Sequence, residues 1–380
     1  MDRPRRRLVP ALLAVVLVAL TAGCRTPRPD GPGGHSGALR LNEIQVLASH
    51  NSYHVEPEPT LFQALLAFLG AQAEGFEYTH RPLTEQFDAG VRAVELDVFA
   101  DDPAGGRYAS PVLVPALGLA PVDPAFGQPG LKVFHVQEVD YRSTCTLFTD
   151  CLGQVRAWSD AHPGHLPITI QIEAKDGGIP DPGLGFVTPV PWTSDTFAAL
   201  ETEIRSVFPD DRVLAPADVR GRSDTLRDAV TAGRWPRLDA ARGQVLFVLD
   251  DKGAKRDAYR AEVPDLADRS IFVDVPEADP DAAITVVNDP IGDAARIRAL
   301  VDAGFVVRTR ADADTVQARS GDTTQRDAAL ASGAQYVSTD YVWPDDRFGT
   351  GYVVDLPGDA AARCNPVSAP RWCERVDLRG

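Results

Sequence analysis

The ten residues GVRAVELDVF, from Gly90 to Phe99, decide the fold that we predict for this chain. Most of the run is apolar or β-branched, which is typical of a strand buried on both faces in a parallel sheet. Glu95 and Asp97 interrupt it, and because residues two apart in a strand share a face, both carboxylates should point the same way. Two like charges so close need a cation or a shared proton. The run therefore predicts a buried strand with a charged site near its end.

Similar short runs recur along the chain and alternate with segments of helical spacing. The predicted strands are 43–48, 91–99, 131–136, 168–172, 244–249, 271–275, 284–287, 305–309 and 335–338. The predicted helices are 60–73, 147–161, 195–208, 293–303 and 323–332, and glycines such as Gly304 and Gly333 end two of them. This alternation favours a parallel sheet with helices outside it. These nine runs are one more than the eight strands of a barrel. The sequence leaves open which of the runs near 271 and 284 is the sixth strand.

We predict an α/β fold in a single domain, a TIM-type (β/α)₈ barrel, regular or distorted, over residues 39–355. An open doubly wound sheet is the alternative, but no G-x-G-x-x-G or P-loop motif follows an early strand. Polar residues instead stand where predicted strands end: His50 and Asn51 after the first, Glu95 and Asp97 late in the second, His135 in the third, Glu173 and Lys175 after the fourth. The carboxyl ends of barrel strands converge on one face, where the active sites of this fold lie.

The N-terminus indicates export. Residues 1–23 read as a signal peptide of the lipoprotein type, because arginines precede an apolar run that is shorter than the roughly 20 residues of a spanning helix. The sequence LTAGC that closes this segment resembles a bacterial lipobox, in which Cys24 carries the lipid; ordinary signal cleavage nearby is the alternative. Residues 24–38, rich in Pro and Gly, should form a flexible tether. We therefore expect a protein that is anchored by lipid on the outer face of a bacterial membrane, or secreted.

The composition of the chain limits the classes of molecule that it is expected to bind. The net charge of −16 over 380 residues disfavours non-specific attraction to nucleic acid, so we expect no nucleic-acid partner, and we expect a monomer. Four cysteines remain beside Cys24, an even number in an exported chain. Bridges from Cys145 to Cys151 and from Cys364 to Cys373 are the simplest of three possible pairings, although one pair could stay reduced. The second bridge would clamp residues 356–380 as a C-terminal tail.

Four oxygen donors predict a site for a hard metal ion. Asn51 and Glu173 join Glu95 and Asp97, and the set includes three carboxylates and no thiolate, which suits calcium or magnesium better than zinc. We favour Ca²⁺ because it tolerates irregular oxygen geometry. The alternative is a carboxylate pair that Arg92 or Lys175 neutralises without a metal.

Two histidines on the same predicted rim suggest acid–base chemistry. His50 and His135 could act across a phosphodiester, one accepting the proton of an attacking hydroxyl and the other protonating the leaving oxygen. A cyclic phosphodiester forms when the attacking hydroxyl belongs to the substrate itself. Lys175, Lys252 and Arg308 are candidates for binding phosphate groups, with ordinary surface roles as the alternative for the lysines.

The motifs together resemble a known family. SHNSY at 49–53, ELD at 95–97, Phe134 with His135, and Ile172 with Glu173 are similar to the catalytic X region of calcium-dependent phosphoinositide phospholipases C, in particular the secreted bacterial single-domain type. The resemblance covers most of residues 41–341. It implies an enzyme that cleaves the glycerol–phosphate ester of phosphatidylinositol, or of a related phosphodiester, at a membrane surface. It also implies specific roles: His50 as base, His135 as acid, and Asn51, Glu95, Asp97 and Glu173 as calcium ligands.

Two other functions compete with this one. Glycerophosphodiester phosphodiesterases share the barrel, and GAQYVSTD at 333–340 resembles their last strand. Their opening motif, however, is His-Arg-Gly where this chain has His50, Asn51 and Ser52, and they usually have Asp where it has Val136. The third hypothesis is a surface lipoprotein that binds phospholipid head groups without turnover, although binding alone needs no acid–base pair.

Overall fold

The computed structural model describes residues 39–261, 263–358, 360–375 and 378. The predicted signal peptide, the tether and Cys24 lie outside the described residues. Within the described ranges, every helix is too short or too polar to cross a lipid bilayer.

Among the residues that the structure describes, ten strands form one sheet. They are β1 (Ile44–Ser49), β2 (Val91–Phe99), β3 (Lys132–Val133), β4 (Ile168–Lys175), β5 (Val245–Leu249), β6 (Ile271–Val273), β7 (Ile284–Val286), β8 (Val306–Arg310), β9 (Tyr336–Thr339) and β10 (Ala362–Cys364). Eight of them pair in parallel in the order β6-β5-β4-β2-β1-β9-β8-β7, and a single bridge between Asp274 and Ile284 joins the two ends. The result is a nearly closed eight-stranded barrel, so the predicted fold class is confirmed.

The predicted third strand is wrong. The run 131–136 yields only β3, which pairs antiparallel with the carboxyl end of β2, and the third barrel strand is β4. Beyond β3 the ring of Phe134 stacks on that of Phe99 with centroids 4.0 Å apart and belongs to a second apolar cluster, whereas Leu131 and Val133 pack in the main core. The runs near 271 and 284 are both barrel strands. His135 therefore follows a short hairpin strand rather than standing in a barrel strand.

Helices cover the outside of the barrel. The α-helices are α1 (Pro59–Leu69), α2 (Leu83–Asp88), α3 (Leu113–Leu117), α4 (Phe148–Ala161), α5 (Ser194–Val207), α6 (Pro216–Arg220), α7 (Leu226–Thr231), α8 (Leu238–Ala241), α9 (Ala254–Arg260), α10 (Ala294–Asp302), α11 (Val316–Ser320) and α12 (Thr324–Ala331). Short 3₁₀ helices are Leu41–Glu43, Gly70–Phe76, Pro124–Gly127, Asp210–Arg212, Pro264–Leu266 and Arg371–Arg375. The five predicted helices correspond to α1, α4, α5, α10 and α12. Gly304 follows α10 with φ +96°, and a Cβ there would lie 2.4 Å from the carbonyl oxygen of Val230.

Two disulfides hold segments that carry little regular structure. Cys145 bonds to Cys151 and Cys364 to Cys373, as predicted. The first closes the loop after β3 onto the start of α4. The second ties β10 to the residues that follow it, and β10 pairs antiparallel with the first half of β1.

Candidate active site

Three carboxylates meet inside the barrel. Glu95 and Asp97 stand on β2, and the register of β2 with β4 sets Asp97 directly beside Glu173. One oxygen from each of the three side chains lies within 4.8 Å of the others. The two-residue period of β2 therefore does bring both of its carboxylates to one cluster, as the sequence predicted. Glu173 and Lys175 lie within β4 rather than after it, because this strand runs three residues beyond the predicted end.

Two cations contact this cluster. Arg308 lies 2.5 Å from Glu95, and the Nζ of Lys175 lies 3.2 Å from both Asp97 and Glu173. Both residues were predicted to bind phosphate. Burial alone would raise the pKa of Glu95, but Arg308 and its other cationic neighbours bring it below the usual value.

The carboxylate of Asp97 is the best evidence for a cation site. It is fully buried, and neither of its oxygens has a hydrogen-bond partner among the described residues, although Lys175 approaches at ion-pair distance. Burial raises the pKa of Asp97 well above its usual value; Lys175 opposes this, while Glu173 and Glu95 add to it. A buried acceptor without donors suits a hard divalent cation that prefers oxygen ligands. The donor set therefore fits calcium.

Asn51 begins a tight turn at the end of β1. Its backbone is left-handed, with φ +43°, a conformation that asparagine tolerates better than most residues. The next residue, Ser52, donates its backbone N–H to the carbonyl of Glu95 at 2.9 Å and accepts from the N–H of Glu95 at 2.8 Å through its hydroxyl. The side-chain amide of Asn51 donates to the hydroxyl of Tyr78 at 3.1 Å. These bonds bind the turn to β2 at the position of Glu95.

His50 is held by a carboxylate and a guanidinium. Its Nδ1 lies 2.7 Å from Asp340, and Arg310 lies 3.0 Å from Asp340 and 3.3 Å from the Nε2 of His50. Because a guanidinium only donates, Nε2 must accept and Nδ1 must carry the proton. Burial and then Arg310 lower the pKa of His50, against the opposing effect of Asp340. His50 is therefore a neutral imidazole whose Nε2 can accept a proton.

His135 is held in a comparable way by Asp140. Its Nδ1 lies 2.7 Å from Asp140, which leaves Nε2 for other partners. The rings of Phe76 and His54 pack edge-on against the imidazole, with centroids 5.6 and 5.9 Å away. The ring is thus fixed on three sides.

The remaining predicted residue, Lys252, and two other histidines occupy less central places. Lys252 is 66% exposed and pairs with Asp274 at 3.3 Å, beyond the ends of β5 and β6. His80 contacts the backbone carbonyl of His50 at 2.8 Å. His162 stacks on Trp158 at the end of α4.

Sequence reasoning missed the two carboxylates that hold the histidines. Asp340 comes directly after the last barrel strand, and Asp140 comes five residues after His135. An acidic residue just beyond the end of a barrel strand is a signal that could have found Asp340. Asp140 gave no such signal, because it lies at the end of a turn four residues beyond the predicted strand 131–136.

The fold and the site define a class of protein. A parallel α/β barrel with clustered carboxylates and carboxylate-bound histidines beside the ends of its strands can hold a metal ion and can support acid–base chemistry.

The chain belongs to the calcium-dependent phosphoinositide phospholipases C, whose family model matches residues 39–366. It is therefore an enzyme of that family, a phosphodiesterase that depends on Ca²⁺. This assignment decides against both alternatives, the glycerophosphodiester phosphodiesterase and the binding protein without turnover.

Solved structures share the fold. A Ca²⁺-dependent phosphatidylinositol-specific phospholipase C from Streptomyces antibioticus is 20% identical, with 79% of this chain and 94% of that chain covered and a TM-score of 0.49. A calcium-dependent phosphoinositol-specific phospholipase C from Pseudomonas sp. is 17% identical, with 87% and 96% covered and a TM-score of 0.51. A myo-inositol complex of the Pseudomonas enzyme aligns over 88% and 100%, with 17% identity and a TM-score of 0.51. A search of curated protein sequences finds no significant match.

Proposed function

We propose that this enzyme cleaves the glycerol–phosphate ester of phosphatidylinositol by proton transfer at His50 and His135. The observation that carries the proposal is the shared arrangement of the two rings. Each histidine keeps its Nδ1 on a buried carboxylate, Asp340 or Asp140, so that each ring presents Nε2 for proton transfer; the Nε2 of His50 also accepts from Arg310 at 3.3 Å. Two imidazoles held in this way can act on one phosphodiester, one as the base for the attacking hydroxyl and the other as the acid for the leaving oxygen.

The two roles follow from the neighbours of each ring. Arg310 next to His50 disfavours a second positive charge, so His50 is the base that takes the proton of an inositol hydroxyl. The oxygen of that hydroxyl bonds to phosphorus as the bond from phosphorus to the glycerol oxygen breaks. His135, whose Nδ1 contacts Asp140, is the acid that gives its proton to the departing glycerol oxygen. The products are a cyclic inositol phosphate and diacylglycerol.

We propose that Glu95, Asp97 and Glu173, with Asn51, hold the calcium ion. When bound, calcium stabilises the negative charge that develops on the phosphoryl oxygens. Lys175 and Arg308 contact the same carboxylates, so a phosphate group bound at this cluster would lie within reach of both cations. Lys252, exposed beyond β5, is our candidate for a contact with the outer edge of the head group.

We propose inositol as the head group because the family acts on phosphoinositides and because the Pseudomonas structure is a myo-inositol complex. We also propose that the enzyme works as a monomer held at the membrane through Cys24. In this organisation residues 39–355 are the barrel and residues 356–380 a clamped tail.

³¹P NMR of the products formed from phosphatidylinositol vesicles tests this function. We expect a cyclic inositol phosphate resonance that requires calcium and that is lost in His50→Ala and His135→Ala. A matched control is His162→Ala, which removes the histidine that follows the outer helix α4 as its C-cap and should leave the product unchanged. Formation of glycerol 3-phosphate, or turnover at the original rate in either variant of the pair, would contradict the proposal.

A further inference from the structure

His54 has a hydrogen-bond acceptor at each ring nitrogen. Its Nδ1 lies 3.0 Å from the backbone carbonyl oxygen of Tyr78, and its Nε2 lies 2.8 and 3.0 Å from the two oxygens of Asp140. A carbonyl oxygen and a carboxylate can only accept, so both nitrogens of His54 must carry hydrogen. The ring is then an imidazolium, and it is fully buried.

Asp140 serves two histidines at once. The oxygen that lies 2.8 Å from His54 also lies 2.7 Å from the Nδ1 of His135. Burial by itself would raise the pKa of Asp140, but His54 first and His135 second bring it below the usual value. The buried carboxylate of Asp140 therefore joins the buried imidazolium of His54 to the partly buried ring of His135.

Backbone hydrogen bonds hold the segments that carry these three side chains. Val136 and Asp140 exchange two backbone hydrogen bonds of 2.9 Å, so the hairpin turns Asp140 back toward His135. Ser143 pairs with His54 in an antiparallel bridge, and the N–H of Thr144 donates to the carbonyl of Tyr53 at 2.8 Å. The hairpin and the segment after β1 are thereby bound to each other at the level of the cluster.

We infer that His54 is a positioning residue for the reaction, acting on the acid His135 through Asp140. This inference rests on the proposed function. A carboxylate with no other cation beside it would stabilise the charged form of the acid and make proton release to the leaving oxygen harder. The charge of His54 offsets part of the charge of Asp140, so His135 releases its Nε2 proton more readily to the leaving oxygen. The protons of His54 stay in place throughout.

Two substrates that differ only in the leaving group test this role. Diacylglycerol leaves phosphatidylinositol as a strongly basic alkoxide unless an acid protonates it, whereas p-nitrophenolate leaves an inositol p-nitrophenyl phosphate without help. In His54→Gln, which keeps a donor but loses the charge, and in His54→Phe, we expect kcat on phosphatidylinositol to fall by about 10- to 100-fold. On the aryl substrate it should fall by less than about threefold, because a correctly placed acid contributes little there. Retained aryl activity also shows that the variant is folded.

The comparison with His135→Ala separates the two claims. His135→Ala should lose activity on phosphatidylinositol and keep it on the aryl substrate. If it does, and the His54 variants either keep both activities or lose both equally, His54 has no role through the acid and the proposed function stands. If His135→Ala shows no such difference between the substrates, both claims fail. His162→Gln should change neither rate.

A measurement on the unaltered enzyme covers the case in which the variants do not fold. In ¹⁵N NMR of the calcium-loaded protein labelled at histidine, we expect both ring nitrogens of His54 to carry a bound proton. A ring nitrogen of His54 without a proton at neutral pH would overturn the inference.

Discussion

Arg308 and Glu95 form an ion pair of 2.5 Å inside the barrel, although their strands, β8 and β2, are not neighbours in the sheet. Each side chain is only 4% exposed. Arg308 also donates to Asn288 at 2.5 Å and to Ser338 at 3.2 Å, so it is held from three directions. The carboxylate cluster thus has a fixed positive partner on the opposite wall of the barrel.

Replacing Arg308 should make the enzyme depend on calcium for its stability. In Arg308→Gln, Glu95 would be buried without its cation, and breaking such a pair costs about 3–5 kcal/mol. We expect the melting temperature without calcium to fall sharply and calcium to restore more of it than in the unaltered enzyme. Differential scanning calorimetry with and without calcium measures both effects.

The control for that experiment is Arg296→Gln. Arg296 pairs with Glu277 on the surface, where both side chains are more than 40% exposed, and such pairs contribute at most about 1 kcal/mol. An equal loss in the two variants, or an identical calcium response, would contradict the account of the buried pair.

Neutral replacements in the carboxylate cluster should weaken calcium binding. Glu95→Gln and Asp97→Asn each remove one charge and replace a ligand oxygen by an amide, so we expect the dissociation constant to rise at least about tenfold, or about 1.4 kcal/mol. Isothermal titration calorimetry measures the change, and Glu277→Gln, on the surface, is the matched control. Unchanged affinity in both cluster variants would remove these residues from the metal site.

His165 should make the enzyme less stable at acidic pH. Burial lowers its pKa from 6.5 to about 4, and its Nε2 lies 2.6 Å from the hydroxyl of Ser159, which itself accepts from Arg212. Between these two values the unfolded chain binds a proton that the folded protein does not. Stability should therefore fall as pH decreases from 6.5 to 4, by at most about 1.4 kcal/mol per unit for this residue.

Urea unfolding at a series of pH values checks that slope. In His165→Gln the slope should be smaller by up to one proton, whereas in His162→Gln it should match the unaltered enzyme. If His165→Gln keeps the full slope, another group is responsible for the acid sensitivity.

The Cys145–Cys151 disulfide should support catalysis as well as stability. It lies two residues beyond Ser143, whose pairing with His54 aligns the hairpin of Asp140. Replacing both cysteines by serine should lower the free energy of unfolding by about 2 kcal/mol and also lower kcat. The second disulfide provides the control, since serines at Cys364 and Cys373 should lower stability but leave kcat nearly unchanged. Equal effects on kcat would contradict the proposed link.

The barrel could be predicted from the sequence because its strands are buried on both faces. Runs such as 91–99 are mostly apolar, and parallel α/β folds produce such runs between amphipathic helices. The segment 131–136 has the same composition for a different reason. Its Phe134 belongs to an apolar cluster outside the barrel, and composition alone does not distinguish the two environments.

The site could be predicted only in part. Glu95 and Asp97 were found because two residues on one strand share a face, a property of local geometry. Asp340 and Asp140 were missed because their roles depend on contacts with histidines that other segments bring close. The contacts of His54 could not be predicted for the same reason, since nothing in the sequence places acceptors at both of its nitrogens.

Locating the metal tests the central claim most directly. Anomalous diffraction from crystals soaked in calcium should give a peak bounded by Glu95, Asp97 and Glu173, with the amide oxygen of Asn51 as a further ligand, and Glu95→Gln crystals should show a weaker peak. The proposed metal site would be contradicted if no peak appears at the cluster at saturating calcium and Lys175 and Arg308 still form ion pairs with the carboxylates.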